Sequence, residues 1–239
     1  MRVLVIIPTY NEVENVSKLI YALNKLEHKS LLDILIVDDN SPDGTGAAVK
    51  KLQKEYDNLF LMERSGKLGL GTAYLQGFKW ALEKKYEVAV EMDADFSHHP
   101  DFLPLMISKI DNYDFIIGSR YVKGGAVENW PFIRKAISKG ASLYSKLILG
   151  VDIKDFTGGF NLWKTSVLLA INLDSIKSNG YSFQVEMKYR AVKKNFSFLE
   201  VPIIFKERES GISKMSKKIF FEAVWKVIWL RLLVKNAKM

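Results

Sequence analysis

Five short aliphatic runs, most of them stopped by a polar turn, leave this chain few ways to fold. They are Arg2–Pro8, Leu32–Val37, Leu59–Met62, Glu87–Met92 and Phe115–Gly118. Runs this short and this rich in Val, Ile and Leu are the pattern of strands buried on both faces. Between them lie helical patterns over Glu12–Leu26, with Asn11 as a candidate cap, from the Asp38–Gly44 turn to about Tyr56, over Thr72–Lys84 and over Phe102–Ile110. Strand and helix in alternation imply an α/β fold, with a parallel sheet covered on both faces. In such a sheet a ligand sits outside the carboxyl ends of the strands. The polar clusters Pro8–Glu12, Asp38–Gly44, Asp93–His99 and Gly118–Arg120 all fall at that edge. Their convergence says more than any one of them.

After Arg120 the alternation weakens. Tyr121–Trp130 reads as a loop and Phe132–Leu149 as a helix with Arg134 and Ser138 on one face. Thr157–Phe160 reads as a turn into a further helix, Tyr181–Lys193 as a helix and Phe198–Phe205 as a strand. The expected division is a catalytic domain over 1–214 and a C-terminal helix over 215–239. Within the former, 1–120 would be the nucleotide half and 121–214 an appended acceptor side with a lid. In the tail, Ile219–Val234 is apolar except for Glu222, Lys226 and Arg231, and Phe221, Trp225 and Trp229 make an aromatic stripe. A spanning helix needs about 20 apolar residues with few charges, and this stretch falls short. It could lie in a membrane interface, dock on a membrane partner or pack on its own domain.

Composition narrows the chemistry. Cysteine is absent, which excludes disulfides, thiol catalysis and Cys-based metal centres. No leader-like apolar segment precedes the first strand, so no signal peptide is expected. The 239 residues carry a net charge of +8, which suits nucleic acid, phosphorylated substrates or an acidic membrane face. No basic run interleaved with aromatics supports nucleic acid.

Asp93 and Asp95, flanking Ala94 at a strand's end, can hold Mg²⁺ or Mn²⁺, with substrate phosphates and water completing the shell. An isolated Asp-x-Asp is more often a solvated turn; its place at the carboxyl edge favours the metal. Asp38 and Asp39 end the second strand, where a carboxylate can accept from a base or ribose or shape an Asx-turn. Gly66–Gly71 fits neither the P-loop nor the dinucleotide fingerprint, so it can equally be a close backbone approach. Arg120, Arg134 and Ser138 are candidates for one phosphate clamp, though a lone Arg is more often in a surface ion pair. Arg208 and Lys214 flank a Gly in a stretch that suits a lid or a plain linker. His98 and His99 read as loop residues near the site, not as a zinc centre.

Taken together, Ile7–Glu12, Val37–Thr45, Gly69–Tyr74, Met92–Pro100, Gly118–Gly125, Thr157–Phe160, Gly180–Glu186 and Glu200–Ile203 with Arg208–Lys214 resemble the dolichyl-phosphate (polyprenyl-phosphate) mannose synthases of glycosyltransferase family 2. The resemblance is to the short form without transmembrane domains and covers nearly the whole chain. Asp-x-Asp followed by Ser-His-x-Pro looks like the mannose branch more than the glucosyl-phosphate branch. The resemblance implies a GT-A (Rossmann-like) fold and inverting transfer of mannose from GDP-mannose to a polyprenyl or dolichyl phosphate. It implies that Pro8, Tyr10, Glu12, Val37, Asp38 and Asp39 line the nucleoside side. Asp93, Ala94 and Asp95 would be at the metal and diphosphate, and Arg120, Arg134 and Ser138 at the acceptor phosphate. Arg208 and Lys214 would close on the donor, and Gln184 would stand near the site. Asp95, Arg120 and Arg134 are the expected catalytic residues. It further implies peripheral attachment at the cytoplasmic face of a membrane, with a small membrane subunit as a possible partner. A family 2 transferase using UDP-glucose or a non-lipid acceptor is the alternative.

Overall fold

A computed structural model describes residues 1–27, 31–176, 178, 180–207 and 224–232. The strands are β1 (Arg2–Thr9), β2 (Leu31–Asp38), β3 (Leu59–Glu63), β4 (Val88–Glu91), β5 (Phe115–Ser119), β6 (Ala126–Val127), β7 (Asn161–Lys164), β8 (Phe198–Pro202) and β9 (Ile204–Phe205). The helices are α1 (Val13–Asn24), α2 (Thr45–Leu52), α3 (Leu70–Glu83), α4 (Leu103–Lys109), α5 (Phe132–Leu149), α6 (Thr165–Ala170) and α7 (Tyr181–Lys193). One seven-stranded sheet has the order β3-β2-β1-β4-β7-β5-β8.

Alternation along β1 explains the two layers. Val3, Val5 and Ile7 point to one side, where they meet Val16, Leu19 and Leu23 of α1 and Leu103 and Met106 of α4. Leu4 and Ile6 point to the other, where they meet Tyr74 and Phe78 of α3 and a buried stripe of α7. Successive strand residues face opposite ways, so a strand buried on both faces must be aliphatic throughout. α3 lies so close that a Cβ on Gly77 would stand 2.5 Å from Ile6 Cγ2.

The sheet is mostly parallel, with one reversal. β7 runs antiparallel between β4 and β5. Thr157–Phe160 therefore leads into a strand before the helix α6, which the sequence reading did not contain. Four residues, Asn-Leu-Trp-Lys, are too few to show a period. All but Lys164 are buried, so no polar-out alternation marks them. Phe198–Phe205 also divides. After β8, Ile203 leaves the main sheet and β9 pairs with β6 inside the segment read as a loop. Strands from 121 onward thus sit in and beside the same sheet as β1–β5.

Asn11 is not the cap of α1. It takes φ 61, and the exposed N–H groups of this turn are met from the next βα loop instead. Asn11 N donates to Ser41 Oγ, Glu12 N to Thr45 Oγ1 and Val13 N to Asp43 Oδ2, each at 3.0 Å. The two loops at the ends of β1 and β2 are thereby stitched together.

Candidate active site

The carboxyl ends of β1, β2, β3, β4 and β5 open on one edge, and three clusters lie there. Asp93-Ala-Asp95 follows β4. Ala94 is buried in the core, which leaves only its backbone for a ligand, while Asp93 and Asp95 are half-buried at the mouth. The turn is held from below. His98 is buried, and its Nδ1 accepts from the Asp93 N–H at 3.1 Å. Its ring stacks on Phe160, with centroids 5.1 Å apart. Burial pushes the imidazole's pKa down, so His98 is a neutral prop and not a third charge. Tyr74 donates to Asp93 Oδ1 at 3.4 Å and Ser97 N donates to Asp95 Oδ1 at 3.1 Å. Phe96 takes φ 59, a strained conformation for a bulky side chain. That kink lies next to Asp95. Among the described residues no three His, Asp or Glu side chains converge as a metal cage. Two carboxylates on one turn fit a hard cation whose remaining positions come from phosphate oxygens and water.

Beneath this turn lies a buried polar layer. Glu91 accepts from Trp163 Nε1 at 2.7 Å and from Asn161 and Gln184. Gln184 in turn accepts from Asn161 Nδ2 at 2.9 Å. The structure places Gln184 here, buried in this layer beside Glu91 and Asn161. Burial pushes Glu91 up to about 7. Lys188 of α7, also fully buried and pushed down to about 8 by burial, donates to the carbonyls of Asp155, Phe156 and Gly158 at 2.8–3.2 Å.

The second cluster follows β2 and β3. Asp38 spends its carboxylate locally: Thr9 Oγ1 donates at 2.8 Å, and Ser41 donates through N and Oγ. It shapes the turn and holds β1 to β2. Val37 lies in the core, so its side chain is closed to a ligand. Asp39 is paired at 2.8 Å with Arg64, both side chains nearly buried, and it accepts from Leu68 N at 3.2 Å. Burial raises its pKa, with Arg64 opposing the rise. Gly66–Gly69 is therefore a loop folded onto Asp39, and Leu70 and Gly71 already belong to α3. Tyr10 stacks under Lys67 Nζ at 4.1 Å, and Pro8, Tyr10 and Glu12 stand half-exposed beside it. The sequence reading missed Arg64. Its signal was available, since it directly follows β3 at the same edge where every other polar group was counted.

The third cluster follows β5. Arg120 is buried, and Asp155 grips it through N–H, Nε and Nη2 at 3.0, 2.7 and 2.7 Å. Thr157 Oγ1 accepts from Nη2 at 2.9 Å. Burial alone would raise the Asp155 pKa, but the Arg120 charge and its hydrogen bonds outweigh it and hold the carboxyl below its usual range. Arg134 is ion-paired with Glu207 and lies 4.0 Å over the Trp130 ring. Arg120 lies 5.7 Å from the centre of the same ring, so both arginines lie against one indole. Ser138 accepts from Tyr121 at 2.7 Å. Neither Asp155 nor Trp130 was singled out from sequence, because each acts through a partner far along the chain. Arg208 and Lys214 lie outside the described residues.

A mostly parallel sheet flanked by helices, with a paired-carboxylate turn at its carboxyl edge between the Asp39–Arg64 cluster and the Arg120 cluster, defines a GT-A glycosyltransferase fold. Residues 4–171 match the family model described as glycosyl transferase family 2, and the chain belongs to that family. It is 48% identical over 95% of its length, and 85% of the relative's, to a polyprenol monophosphomannose synthase of Mycolicibacterium smegmatis. It is 47% identical over 94% of its length, and 91% of the relative's, to an undecaprenyl-phosphate mannosyltransferase of Micrococcus luteus. The fold is similar to crystal structures of glucosyl-3-phosphoglycerate synthase from Mycobacterium tuberculosis. One, with Mn²⁺, uridine diphosphate and phosphoglyceric acid, has a TM-score of 0.68 at 15% identity, covering 98% of this chain and 78% of that one.

Proposed function

We propose that this glycosyltransferase moves mannose from GDP-mannose to a polyprenyl (dolichyl) phosphate at a membrane surface, with inversion, giving a β-mannosyl phosphoryl lipid. The names of the two relatives support the sugar and the acceptor class. One observation carries the lipid part of the reading. Helix α5 is built inside out. Arg134, Ser138, Ser142 and Ser145 face the body of the protein, while Phe132, Ile133, Ile137, Leu143 and Leu147 are exposed. An ordinary surface helix turns its apolar stripe inward. A helix with a phosphate anchor inside and a greasy face outside suits a ligand whose head is anionic and whose tail stays in lipid.

The tail helix, 224–232, adds to that face. Val227 and Leu230 pack into the core, so it docks on its own domain, while Trp225, Trp229 and Leu232 remain exposed. Indole rings at such a position favour the membrane interface. No helix among the described residues is long and apolar enough to cross a membrane, and peripheral attachment at the cytoplasmic face is the arrangement we infer. A small membrane subunit could share the same surface.

In this reading Pro8, Tyr10, Glu12 and Asp39 hold the nucleoside, with Arg64 fixing Asp39. Asp93 and Asp95 hold Mg²⁺ or Mn²⁺, which would offset charge on the departing diphosphate. Arg120, Arg134 and Ser138 receive the acceptor phosphate, and Arg208 and Lys214 close on the donor. The second pKa of a phosphate monoester is about 6, so the nucleophile arrives ionised and needs no general base. What remains for the protein is in-line positioning and charge stabilisation. The test is transfer of radiolabelled sugar to a short-chain polyprenyl phosphate, from GDP-mannose and from UDP-glucose in parallel, with and without EDTA. Transfer from GDP-mannose that EDTA abolishes is expected. Transfer from UDP-glucose alone would overturn the donor assignment. Arg134→Ala is expected to raise the acceptor KM, and a change confined to the donor KM would contradict its place.

A further inference from the structure

Trp130 is the residue on which the arginine pair turns, and nothing in the proposed mechanism so far uses it. It sits just before α5 and is 91% buried, its relative exposure being 9%. Its indole makes an edge-on contact with Phe205, centroids 5.2 Å apart, and both Arg134 and Arg120 lie against it. Its Nε1–H is shut away from solvent and finds no hydrogen-bond partner among the described residues. A buried indole N–H is a donor with nothing else to offer. Leaving such a donor unmatched is unfavourable, and buried polar groups in folded proteins nearly always have a partner. Here the unmatched donor belongs to a ring that two guanidinium groups lie against, in the cluster assigned to the acceptor phosphate.

We propose that Trp130 is a specificity-determining residue of the acceptor site, its indole N–H donating to an oxygen of the acceptor phosphate held by Arg120 and Arg134. The inference rests on the reading of that site as the acceptor's. Three donor groups then surround one phosphate: a guanidinium fixed rigidly by Asp155, a guanidinium on α5, and a neutral donor whose direction the packed ring fixes. The neutral donor adds direction without adding charge. Arg134 is tied to Glu207 by a partly exposed pair, the kind of contact that gives way easily. Glu207 in that position is a carboxylate standing where a phosphate oxygen would go.

The experiment is calorimetric titration of the full chain with citronellyl phosphate, a short prenyl monoester, and separately with GDP, in the wild type and in Trp130→Phe. Phe keeps the ring face and loses the donor. Removing a hydrogen bond to a charged acceptor is expected to weaken the ester by about tenfold, with GDP affinity unchanged. In ¹⁵N-tryptophan-labelled wild type, the Trp130 indole proton is expected to move downfield when the ester binds. That second measurement stands even where the variant folds poorly. Ester affinity within twofold of wild type with no indole shift would overturn the inference and leave the acceptor reading intact. Equal loss of ester and GDP affinity would also overturn it, by showing a purely structural role. A wild type that binds GDP and not the ester would sink the acceptor reading, and this inference with it.

Discussion

Replacing Asp155 by Asn removes one charge from a fully buried pair and leaves the heavy-atom frame in place. Asp155 takes three hydrogen bonds from Arg120 and one from Gly158 N at 2.9 Å. Both side chains are at most 5% exposed, so water cannot replace what is lost. Breaking one partner out of a buried pair is destabilising by about 3–5 kcal/mol, because the other charge stays buried and unmatched. With about 2.1 cal/mol/K of unfolding entropy per residue and 239 residues, that is a fall in Tm of about 6–10 °C. Thermal and urea unfolding of Asp155→Asn would measure it, with acceptor KM followed in parallel, since Arg120 loses its seat. The pH dependence gives a sharper check. The folded-state pKa of Asp155 is lowered, so its stabilisation is full above the unfolded value of about 3.9 and lost as pH falls through the folded value. The gap between wild type and variant is therefore constant near neutrality and closes in acid. A gap under about 1 kcal/mol at pH 7, or one that grows on acidification, would refute the reasoning.

Asp95→Ala is expected to lower kcat/KM by roughly a thousandfold, the several kcal/mol of charge stabilisation a bound cation supplies; full activity at saturating donor would remove Asp95 from the metal site. Gly77→Ala should destabilise by about 1–3 kcal/mol through overpacking, because its Cβ would meet the Ile6 side chain at 2.5 Å; urea unfolding of a correctly folded variant with unchanged stability would contradict the α3–β1 packing. Lys188 is depressed to about 8 by burial, so its charged form opposes folding below that pH and the penalty fades as pH rises towards the unfolded value. Between pH 8 and pH 10 the wild type should gain about 2 kcal/mol relative to Lys188→Met, measured by urea unfolding at the two values. An unchanged difference would mean that Lys188 titrates normally.

The sequence by itself determined the layered α/β plan and the edge at which the site lies. Val3–Ile7 and Ile34–Val37 are aliphatic without alternation, and only a strand covered on both faces requires that. Asp93, Asp95, Asp39 and Arg120 then followed, because ligand groups in such sheets cluster just past the strand ends. What the sequence left open was everything set by distant partners. β7 is four residues of unpatterned burial, and only β4 and β5 on either side make it a strand. Asp38 and Asp39 are neighbours with equal propensities, yet Thr9 and Ser41 turn one into a strut while the other pairs with a buried Arg64. Gln184 reads from sequence only as near the site, and its bonds to Glu91 and Asn161 come from distant partners. α5 has the period of an ordinary amphipathic helix, and periodicity cannot say which face is inside; the contacts of Arg134, Ser138 and Ser142 decide that. Local pattern fixes what most of the segments are, whereas pairings between residues tens of positions apart fix the unpatterned ones and which side chains are spent on the fold.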